Sequence, residues 1–344
     1  MRVAFRTDAS SKIGTGHVMR CASLAQGLRS KGHTVTFFCA DEPGNMIPWL
    51  RERGFAVTSI RAASEREDAE QTLAALGSQA PDWLVVDHYH LDKRWEERMA
   101  NAVGGMLVLD DLGRTHVCNL LLDQNYENPL HLRYRRNVPA SCGLLLGPRF
   151  ALVRPEFSRL RERALSRRAG TVSHVLLFMS GVDEHNETCK ALAGLAASRY
   201  RNVSTDVAIG TANPHRAVVE AALERLPKAR LHIQTPLMAE LMTAADLMIC
   251  AGRSSNWERC ALGLPALLVV LAENQVAVAE GLAKAGAQKV LGWYNQLHAK
   301  DYATALDALD QQELSRMSAA AAAVCDGHGV DAVINRLEKV RPEI

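Results

Sequence analysis

The chain has 344 residues, which exceeds one ordinary folding core and predicts two domains. Hydrophobic residues make up 48% of the chain and charged residues 23%, as in globular proteins, so general disorder is excluded. The near balance of 40 Lys and Arg against 38 Asp and Glu argues against nucleic acid as a partner.

Neither export nor a membrane span is expected. The N-terminal segment carries charges where a signal peptide needs an apolar run, and the most apolar stretch, residues 266–272, has the length of a buried strand. The 8 cysteines contain no C-x-x-C pair, so we expect thiols in a reducing compartment and no metal site. The composition therefore favours a cytoplasmic protein without a membrane anchor.

The first half of the chain alternates strands and helices. A strand is expected at residues 3–6, a helix at 18–28 and a second strand at 33–40, which together form a βαβ unit. Further strand patterns at residues 83–87 and 106–110 flank a charged helical segment. This alternation predicts an α/β domain with a doubly wound sheet.

An arginine-dense stretch at residues 154–168 separates the two halves. We interpret it as a solvated linker helix, and a phosphate-binding patch is the alternative. The predicted domains are residues 1–153 and 171–344, joined by a linker at 154–170. The last helix is a candidate to pack back on the first domain.

The second half repeats the same alternation and ends in a helical tail. The patterns predict strands at residues 174–179, 205–210, 231–234, 247–251 and 266–271, and helices at 187–199, 238–245, 257–264 and 276–284. In such sheets ligands bind beyond the carboxyl ends of the strands. The loops that follow the strands are therefore the candidate functional segments.

The first of these loops, residues 8–17, contains Gly14 and Gly16, which allow close backbone approach to a ligand. A dinucleotide site is the obvious alternative, but its fingerprint needs a small residue where this chain has Met19. His17 falls at the start of the following helix, whose dipole disfavours an imidazolium. A neutral imidazole is suited to act as a general base, although a histidine that merely caps the helix is an equal alternative.

Polar residues also end two later strands of the first half. Asp87-His88-Tyr89 ends one strand, and its tyrosine could donate to a phosphate oxygen; Asp110-Asp111 ends the next strand. Strand-end aspartates often only cap a turn, and capping is the stronger alternative for Asp111 than for Asp87. Because the chain contains no D-x-D, a metal-held diphosphate is not expected.

Three loops of the second half carry groups suited to a nucleotide and a sugar. The candidates, in chain order, are Gly181 after Ser180, Ser254 and Ser255 after Gly252-Arg253, Glu258 in the next helix, and Asn274 with Gln275. For the hydroxyls, ordinary N-caps are the favoured interpretation and a phosphate cradle is the alternative, whereas Glu258 could accept both hydroxyls of a ribose. Polar clusters at successive strand ends are nevertheless harder to explain by capping alone.

Several blocks of this sequence resemble, in order, those of the pseudaminic acid pathway hydrolase family, which cleaves a UDP-sugar to release 2,4-diacetamido-2,4,6-trideoxy-L-altrose. The blocks are FRTD with GTGHVMR at residues 5–8 and 14–20, VDHY at 86–89, LDD at 109–111, GPRFALVRPEF at 147–157, WERCALGLP at 257–265, ENQ at 273–275 and DGHG at 326–329. The resemblance covers nearly the whole chain.

This resemblance implies a GT-B fold, with two Rossmann-like domains facing a cleft and UDP held mainly by the C-terminal domain. His17 would deprotonate water for inverting attack at the anomeric carbon, so no metal or other cofactor is needed. Ser254, Ser255 and Glu258 would bind the nucleotide, and Asn274 and Gln275 the sugar or its phosphates. Tyr89 and Arg154, with Asp8 in the first loop, would contact substrate from the N-terminal side.

The partner expected from the resemblance is the UDP-sugar, in a monomeric enzyme that serves pseudaminic acid biosynthesis and flagellin glycosylation. Where the family commonly has paired glycines, this chain has Ser180-Gly181 and Gly252-Arg253, which puts the diphosphate geometry and the exact sugar in question. The alternatives are a glycosyltransferase of the same fold that uses a UDP-sugar donor, or a non-catalytic nucleotide-sugar binding module.

Overall fold

The structure is a computed structural model that describes residues 1–77, 79–126, 129–168, 170–252 and 255–340. The chain folds into two compact units. Unit 1 comprises residues 1–155 together with the C-terminal segment that begins at His328, and unit 2 comprises Glu156–Gly327. None of the described helices is long and apolar enough to cross a membrane.

Unit 1 is built on a sheet of seven parallel strands in the order β3-β2-β1-β4-β5-β6-β7. The strands are β1 (Arg2–Thr7), β2 (Thr34–Ala40), β3 (Ala56–Ile60), β4 (Trp83–Asp87), β5 (Met106–Leu109), β6 (Leu120–Asp123) and β7 (Gly143–Leu146). Its helices are α1 (Gly16–Ser30), α2 (Ile47–Glu52), α3 (Glu65–Leu76), α4 (Lys93–Met99), α5 (Leu130–Tyr134) and α14 (Gly329–Lys339).

Both faces of the unit 1 sheet are covered. Alternate residues of β1 point to opposite faces, so Phe5 packs in the cluster that contains α1 and α14, while Ala4 packs in the cluster that contains α4. Helix α14 lies close to α1, since a Cβ atom added at Gly27 would approach Val330 Cγ1 to 2.5 Å. The C-terminal helix is therefore part of the core of unit 1.

Unit 2 contains a sheet of six parallel strands in the order β10-β9-β8-β11-β12-β13. The strands are β8 (His174–Phe178), β9 (Ser204–Ile209), β10 (Ala229–Ile233), β11 (Leu247–Ala251), β12 (Ala266–Val270) and β13 (Lys289–Trp293). The helices are α6 (Pro155–Ser166), which begins at the unit boundary, α7 (Glu187–Ala197), α8 (Arg216–Leu223), α9 (Met238–Ala244), α10 (Ser255–Ala261), α11 (Val276–Lys284), α12 (Ala299–Asp307) and α13 (Gln311–Val324).

Two arginines of the basic stretch bind the carbonyl ends of helices in unit 2. Arg161 donates to the carbonyl oxygens of Ala261 (2.5 Å), Ala322 (2.8 Å) and Cys325 (2.9 Å). Arg168 donates to Leu262 and to two carbonyls at the end of α9. These guanidinium groups donate to the free carbonyl groups at helix C-termini. Arg161 and Arg168 therefore point neither to solvent nor to a phosphate, the two possibilities considered from the sequence.

The predicted α/β class, with two parallel doubly wound sheets, is confirmed. The strand patterns at residues 83–87, 247–251 and 266–271 coincide with β4, β11 and β12, which are buried along their whole length. No elements were expected between β2 and β4 or at β6 and β7. The edge strand β3 is partly exposed and has a weak apolar pattern, while β6 and β7 are runs of leucine only four residues long, too short to show a period.

Replacement of Arg161 by alanine is expected to destabilise unit 2 by about 3 kcal/mol, because three backbone carbonyls lose a charged donor. Arg163→Ala in the same helix is the matched control, since Arg163 is exposed. Denaturant unfolding followed by circular dichroism measures both variants. Equal midpoints for the two would show that these hydrogen bonds do not stabilise the unit.

Candidate functional site

The candidate site of unit 1 lies where the direction of winding reverses, between the neighbouring strands β1 and β4. The loops that leave such a pair diverge and open a crevice at the carboxyl edge of the sheet. Here those loops are residues 8–15 after β1 and residues 88–92 after β4. These loops contain the candidates Asp8, Gly14 and Tyr89, and the first turn of α1 contains Gly16 and His17.

The loop after β1 is held by its own short turn. The hydroxyl of Ser10 accepts from the backbone N–H groups of Lys12 and Ile13, and Gly14 N donates to Ser10 O at 2.8 Å. Gly14 has a φ of +77°, which favours glycine. An added Cβ at Gly14 or Gly16 would meet no described heavy atom within 4 Å. The turn ends as α1 begins, so His17 lies in its first turn.

His17 is buried, with 7% of its surface exposed, and forms a hydrogen bond with the carboxylate of Asp87. The Nδ1 atom of His17 lies 2.6 Å from Asp87 Oδ1. Because a carboxylate accepts only, this contact places the proton on Nδ1 and leaves the lone pair on Nε2. Arg20 Nη2 also lies 3.2 Å from Nδ1, but a protonated Nδ1 has no lone pair to accept from it, so we assign the shorter contact with Asp87 as the hydrogen bond. The geometry therefore assigns the tautomer with the proton on Nδ1, in which Nε2 is the nitrogen that can accept a proton.

Arg20 holds the other side of Asp87. Its Nε and one terminal nitrogen each lie 2.6 Å from a carboxylate oxygen of Asp87, in a bidentate arrangement. Burial would raise the pKa of Asp87, but the charge of Arg20 and the contact with His17 outweigh burial and hold that pKa well below its ordinary value. Asp87 is thus a fixed negative charge beneath His17.

Tyr89 and Asp111 extend the site beside His17. The rings of His17 and Tyr89 meet edge to face with centroids 4.5 Å apart. The hydroxyl of Tyr89 donates to Asp111 Oδ2 at 3.2 Å, and burial together with the Asp111 charge raises the pKa of Tyr89 to about 12. Tyr89 therefore stays a neutral hydrogen-bond donor and acceptor at physiological pH.

Asp8, a predicted substrate contact, lies instead within a buried ion-pair network. Arg6 bridges Asp8 and Asp68, each at 2.5 Å, and Asp8 also accepts from His88 at 2.9 Å and from Ala40 N at 2.6 Å. Both carboxylate oxygens of Asp8 therefore have protein donors. This arrangement ties the loop after β1 to β2 and to the loop after β4, and its direct effect is structural.

The two aspartates that follow β5 have different environments. Asp110 accepts from the backbone N–H groups of residues 112–114 and from the side chain of Arg114, so it caps the turn. Asp111 Oδ1, in contrast, is buried and has no hydrogen-bond partner among the described residues. Capping of the turn, the alternative considered for Asp111, is therefore the role of Asp110.

In unit 2 the winding reverses between β8 and β11. The loop after β8 passes very close to the end of β9, since an added Cβ at Gly210 would lie 2.6 Å from Gly181 O. Ser180 Oγ accepts from Asp183 N, and the Asp183 carboxylate accepts from the first N–H groups of α7, on Glu187 and Thr188. Ser180 and Asp183 thus fix the conformation of this loop around Gly181.

The second loop of unit 2 is only partly described. Ser254 and Arg253 lie outside the described residues, whereas Ser255 begins α10 and Glu258 lies in its first turn, both half-buried. Several buried polar atoms at this edge of the sheet lack a hydrogen-bond partner among the described residues, namely Asn186 Oδ1, Thr188 Oγ1, Asn213 Nδ2 and Asn256 Oδ1. Such groups are normally satisfied by water or a ligand.

The remaining predicted residues lie at different depths. Asn274 is exposed in the 3₁₀ turn Glu273–Gln275 after β12, and Gln275 is buried with its side-chain oxygen accepting from Leu271 N at 3.0 Å. Arg154 is half-buried in unit 1, directly before α6. The turn therefore leaves Asn274 accessible and uses part of Gln275 to hold the backbone.

Two residues of these sites were not expected from the sequence, namely Arg20, which binds Asp87, and Asp183, which caps α7. Arg20 lies three residues after His17, so the two share one face of α1 and reach the same carboxylate. That spacing was a usable signal. Asp183 could not be recognised in this way, because its φ of +46° and its position before α7 are not encoded in a local motif.

The C-terminal half of the chain is similar to a known glycosyltransferase domain. Residues 186–336 match the glycosyltransferase family 28 C-terminal domain. Over its full length the fold is similar to that of MurG from Acinetobacter baumannii, with a TM-score of 0.74 at 15% identity and coverage of 98% of this chain and 99% of that one. The predicted GT-B fold is thereby confirmed.

Two curated proteins show sequence similarity along most of the chain. The UDP-2,4-diacetamido-2,4,6-trideoxy-beta-L-altropyranose hydrolase of Campylobacter jejuni is 25% identical over 289 residues, which cover 83% of this chain and 97% of that enzyme. An uncharacterized protein of Methanocaldococcus jannaschii is 24% identical over 80% of this chain, which spans only 56% of that protein. The resemblance inferred from the sequence blocks is confirmed.

Replacement of Asp8 by asparagine is expected to destabilise the protein by about 3 kcal/mol at neutral pH, because Arg6 is buried and loses a charged partner. Burial would raise the pKa of Asp8, but His88 and Arg6 hold it well below its ordinary value. The contribution of Asp8 is therefore present above about pH 4 and is lost as the pH falls toward the lowered pKa.

The test follows thermal unfolding of the wild type and Asp8→Asn from neutral pH down to about pH 2. The difference in unfolding temperature between the wild type and Asp8→Asn should become smaller as the pH falls. Asp41→Asn, which removes one partner of a more exposed pair with Arg61, is the control and should change stability little. A difference that does not vary with pH would exclude an ionised Asp8 as the stabilising group.

Proposed function

We propose that this chain hydrolyses UDP-2,4-diacetamido-2,4,6-trideoxy-β-L-altrose to UDP and the free sugar, as a step in pseudaminic acid biosynthesis. The observation that carries the proposal is the His17–Asp87 pair, in which the contact at Nδ1 leaves Nε2 as a base. A base of this kind can activate water without a metal. The similarity to the Campylobacter jejuni hydrolase supports the choice of substrate.

In the proposed reaction, His17 Nε2 removes a proton from a water molecule as the water oxygen attacks the anomeric carbon. The bond between that carbon and the diphosphate oxygen breaks, and UDP leaves with the electron pair. Attack opposite the leaving group inverts the anomeric configuration. Asp87 stabilises the imidazolium that forms, while Arg20 keeps Asp87 ionised.

The nucleotide is proposed to bind at the carboxyl edge of the sheet of unit 2. Support comes from the close approach of Gly181 and Gly210 and from the unpartnered buried groups of Asn186, Thr188 and Asn256. In this proposal Ser254, Ser255 and Glu258 bind the nucleotide, while Asn274 and the amide N–H₂ of Gln275 contact the sugar or its phosphates. Tyr89 and Arg154 contact substrate from unit 1, with Gly14 and Gly16 leaving room for it.

A glycosyltransferase is the second candidate, because residues 186–336 match a glycosyltransferase domain. Both reactions use a UDP-sugar, and His17 could act as the base in either one. They differ in the acceptor that His17 deprotonates, which is water in one case and a hydroxyl group of a second molecule in the other. The isotope experiment below separates them.

Turnover of the UDP-sugar in water enriched in ¹⁸O is expected to place the label on the anomeric carbon of the sugar and none on UDP. Mass spectrometry of both products measures the label, and proton NMR at early times identifies the inverted anomer. Label in UDP would contradict cleavage at the carbon–oxygen bond. A transferase would release UDP only when an acceptor is added.

His17→Ala should reduce turnover by at least about 100-fold, because the water loses its base. Its binding of UDP, measured by calorimetry, should match the wild type, since His17 is not assigned to the nucleotide. Unchanged turnover would remove His17 from the proposed mechanism. If the wild type itself binds UDP but releases no sugar, the chain is a binding module.

Asp87→Asn is expected to lower kcat by about 100-fold, because the amide can donate to Nδ1 and so favours the tautomer whose Nε2 carries the proton. Asp331→Asn is the matched control, as Asp331 is exposed and, within the described part of the chain, forms an ion pair with Lys31 between helices α14 and α1 and with no other residue. Steady-state rates of UDP release measure both. A kcat for Asp87→Asn equal to that of the control would contradict the role of Asp87.

A further inference from the structure

Only one oxygen of the Asp111 carboxylate accepts a hydrogen bond from the described residues. Oδ2 accepts from the hydroxyl of Tyr89 at 3.2 Å and lies 3.9 Å from a guanidinium nitrogen of Arg20. Oδ1 is inaccessible to solvent and has no hydrogen-bond partner among the described residues. A buried carboxylate oxygen without a donor is costly, so a position of this kind is normally completed by a bound molecule.

The backbone holds Asp111 firmly in this position. Arg133 donates to the carbonyl oxygen of Asp111 at 3.0 Å, and the preceding Asp110 carboxylate caps the turn that follows. The backbone from which the Asp111 side chain extends is therefore held without Tyr89.

Asp111 also belongs to the same cluster as the proposed base. Tyr89 contacts both the His17 ring, at 4.5 Å between centroids, and Asp111. Arg20 likewise reaches both Asp87 and Asp111. A sugar whose anomeric carbon faces His17 would therefore present other ring substituents toward Asp111.

We propose that the Asp111 carboxylate, whose side chain is 23% exposed, turns its unpaired oxygen toward the sugar and accepts a hydrogen bond from an N–H or O–H group of the sugar ring, which makes Asp111 a specificity-determining residue of this site. The inference rests on the proposed function, and the donors of that sugar are its acetamido N–H groups and its remaining ring hydroxyl. A sugar with an acceptor or no donor at this position leaves Oδ1 unpaired and binds more weakly.

Asp111 could instead serve only to orient the hydroxyl of Tyr89. The two roles predict different behaviour when Tyr89 is changed to phenylalanine, which removes that hydroxyl. If Asp111 acts only through Tyr89, its replacement has no further effect in the Tyr89→Phe background. If Asp111 binds the sugar directly, its replacement has the same effect in both backgrounds.

The test measures kcat and KM for the UDP-sugar, and the inhibition constant of UDP, in Asp111→Ala and in the double variant with Tyr89→Phe. We expect Asp111→Ala to raise KM about tenfold in either background, with kcat and the UDP inhibition constant unchanged, because a ground-state contact to the sugar is lost. Asp111→Asn, which retains one acceptor oxygen, should recover part of the loss, and Asp331→Asn should behave as the wild type.

An unchanged KM in Asp111→Ala, or an effect that disappears in the Tyr89→Phe background, would overturn the inference while the hydrolase activity stands. Equal losses of affinity for UDP and for the UDP-sugar would also overturn it, since they indicate a general disturbance. If the wild type releases no sugar, calorimetry with the UDP-sugar and with UDP makes the same comparison. Selective loss of UDP-sugar binding in Asp111→Ala would then support the inference although the proposed function had failed.

Discussion

The contact between His17 and Asp87 is the interaction on which the site of unit 1 depends. Asp87 is the last residue of β4, and His17 lies in the first turn of the helix that follows β1. The two are brought to 2.6 Å because β1 and β4 are neighbouring parallel strands at the point where the sheet reverses its winding. Sheet topology, rather than any local motif, therefore creates the pair.

A buried carboxylate beneath a histidine would be unstable without a permanent cation, and Arg20 supplies that cation. A second arginine has the same effect nearby in unit 1, where the guanidinium of Arg6 forms ion pairs with Asp8 and Asp68. These two arginines help to keep Asp87 and Asp8 ionised and fix the loops after β1 and β4. The position of the His17 imidazole is thus determined by charged groups that are largely buried.

The sequence predicted the parallel sheets well, because buried strands such as β11 and β12 are continuous apolar runs bounded by polar loops. It also placed His17, Asp87 and Tyr89 at one edge of one sheet. It did not distinguish which strand-end carboxylates are available to a ligand. Asp8 accepts hydrogen bonds from Arg6 and His88, and Asp110 accepts them from its own turn. Asp111, in contrast, keeps one oxygen without a donor among the described residues. Such differences depend on donors from distant segments, which a local pattern does not contain.

The separation of roles between Asp87, Asp110 and Asp111 follows from how many donors each carboxylate receives. Asp87 and Asp110 are fully engaged, so they can act only through the groups they hold, His17 and the turn at residues 112–114. Asp111 keeps one oxygen without a donor among the described residues. A site that must discriminate between sugars needs an acceptor of this kind, because rejecting a substrate that lacks a donor relies on leaving a buried polar group unpaired. The same unpaired oxygen that is unfavourable in the free protein would then give selectivity when the sugar binds.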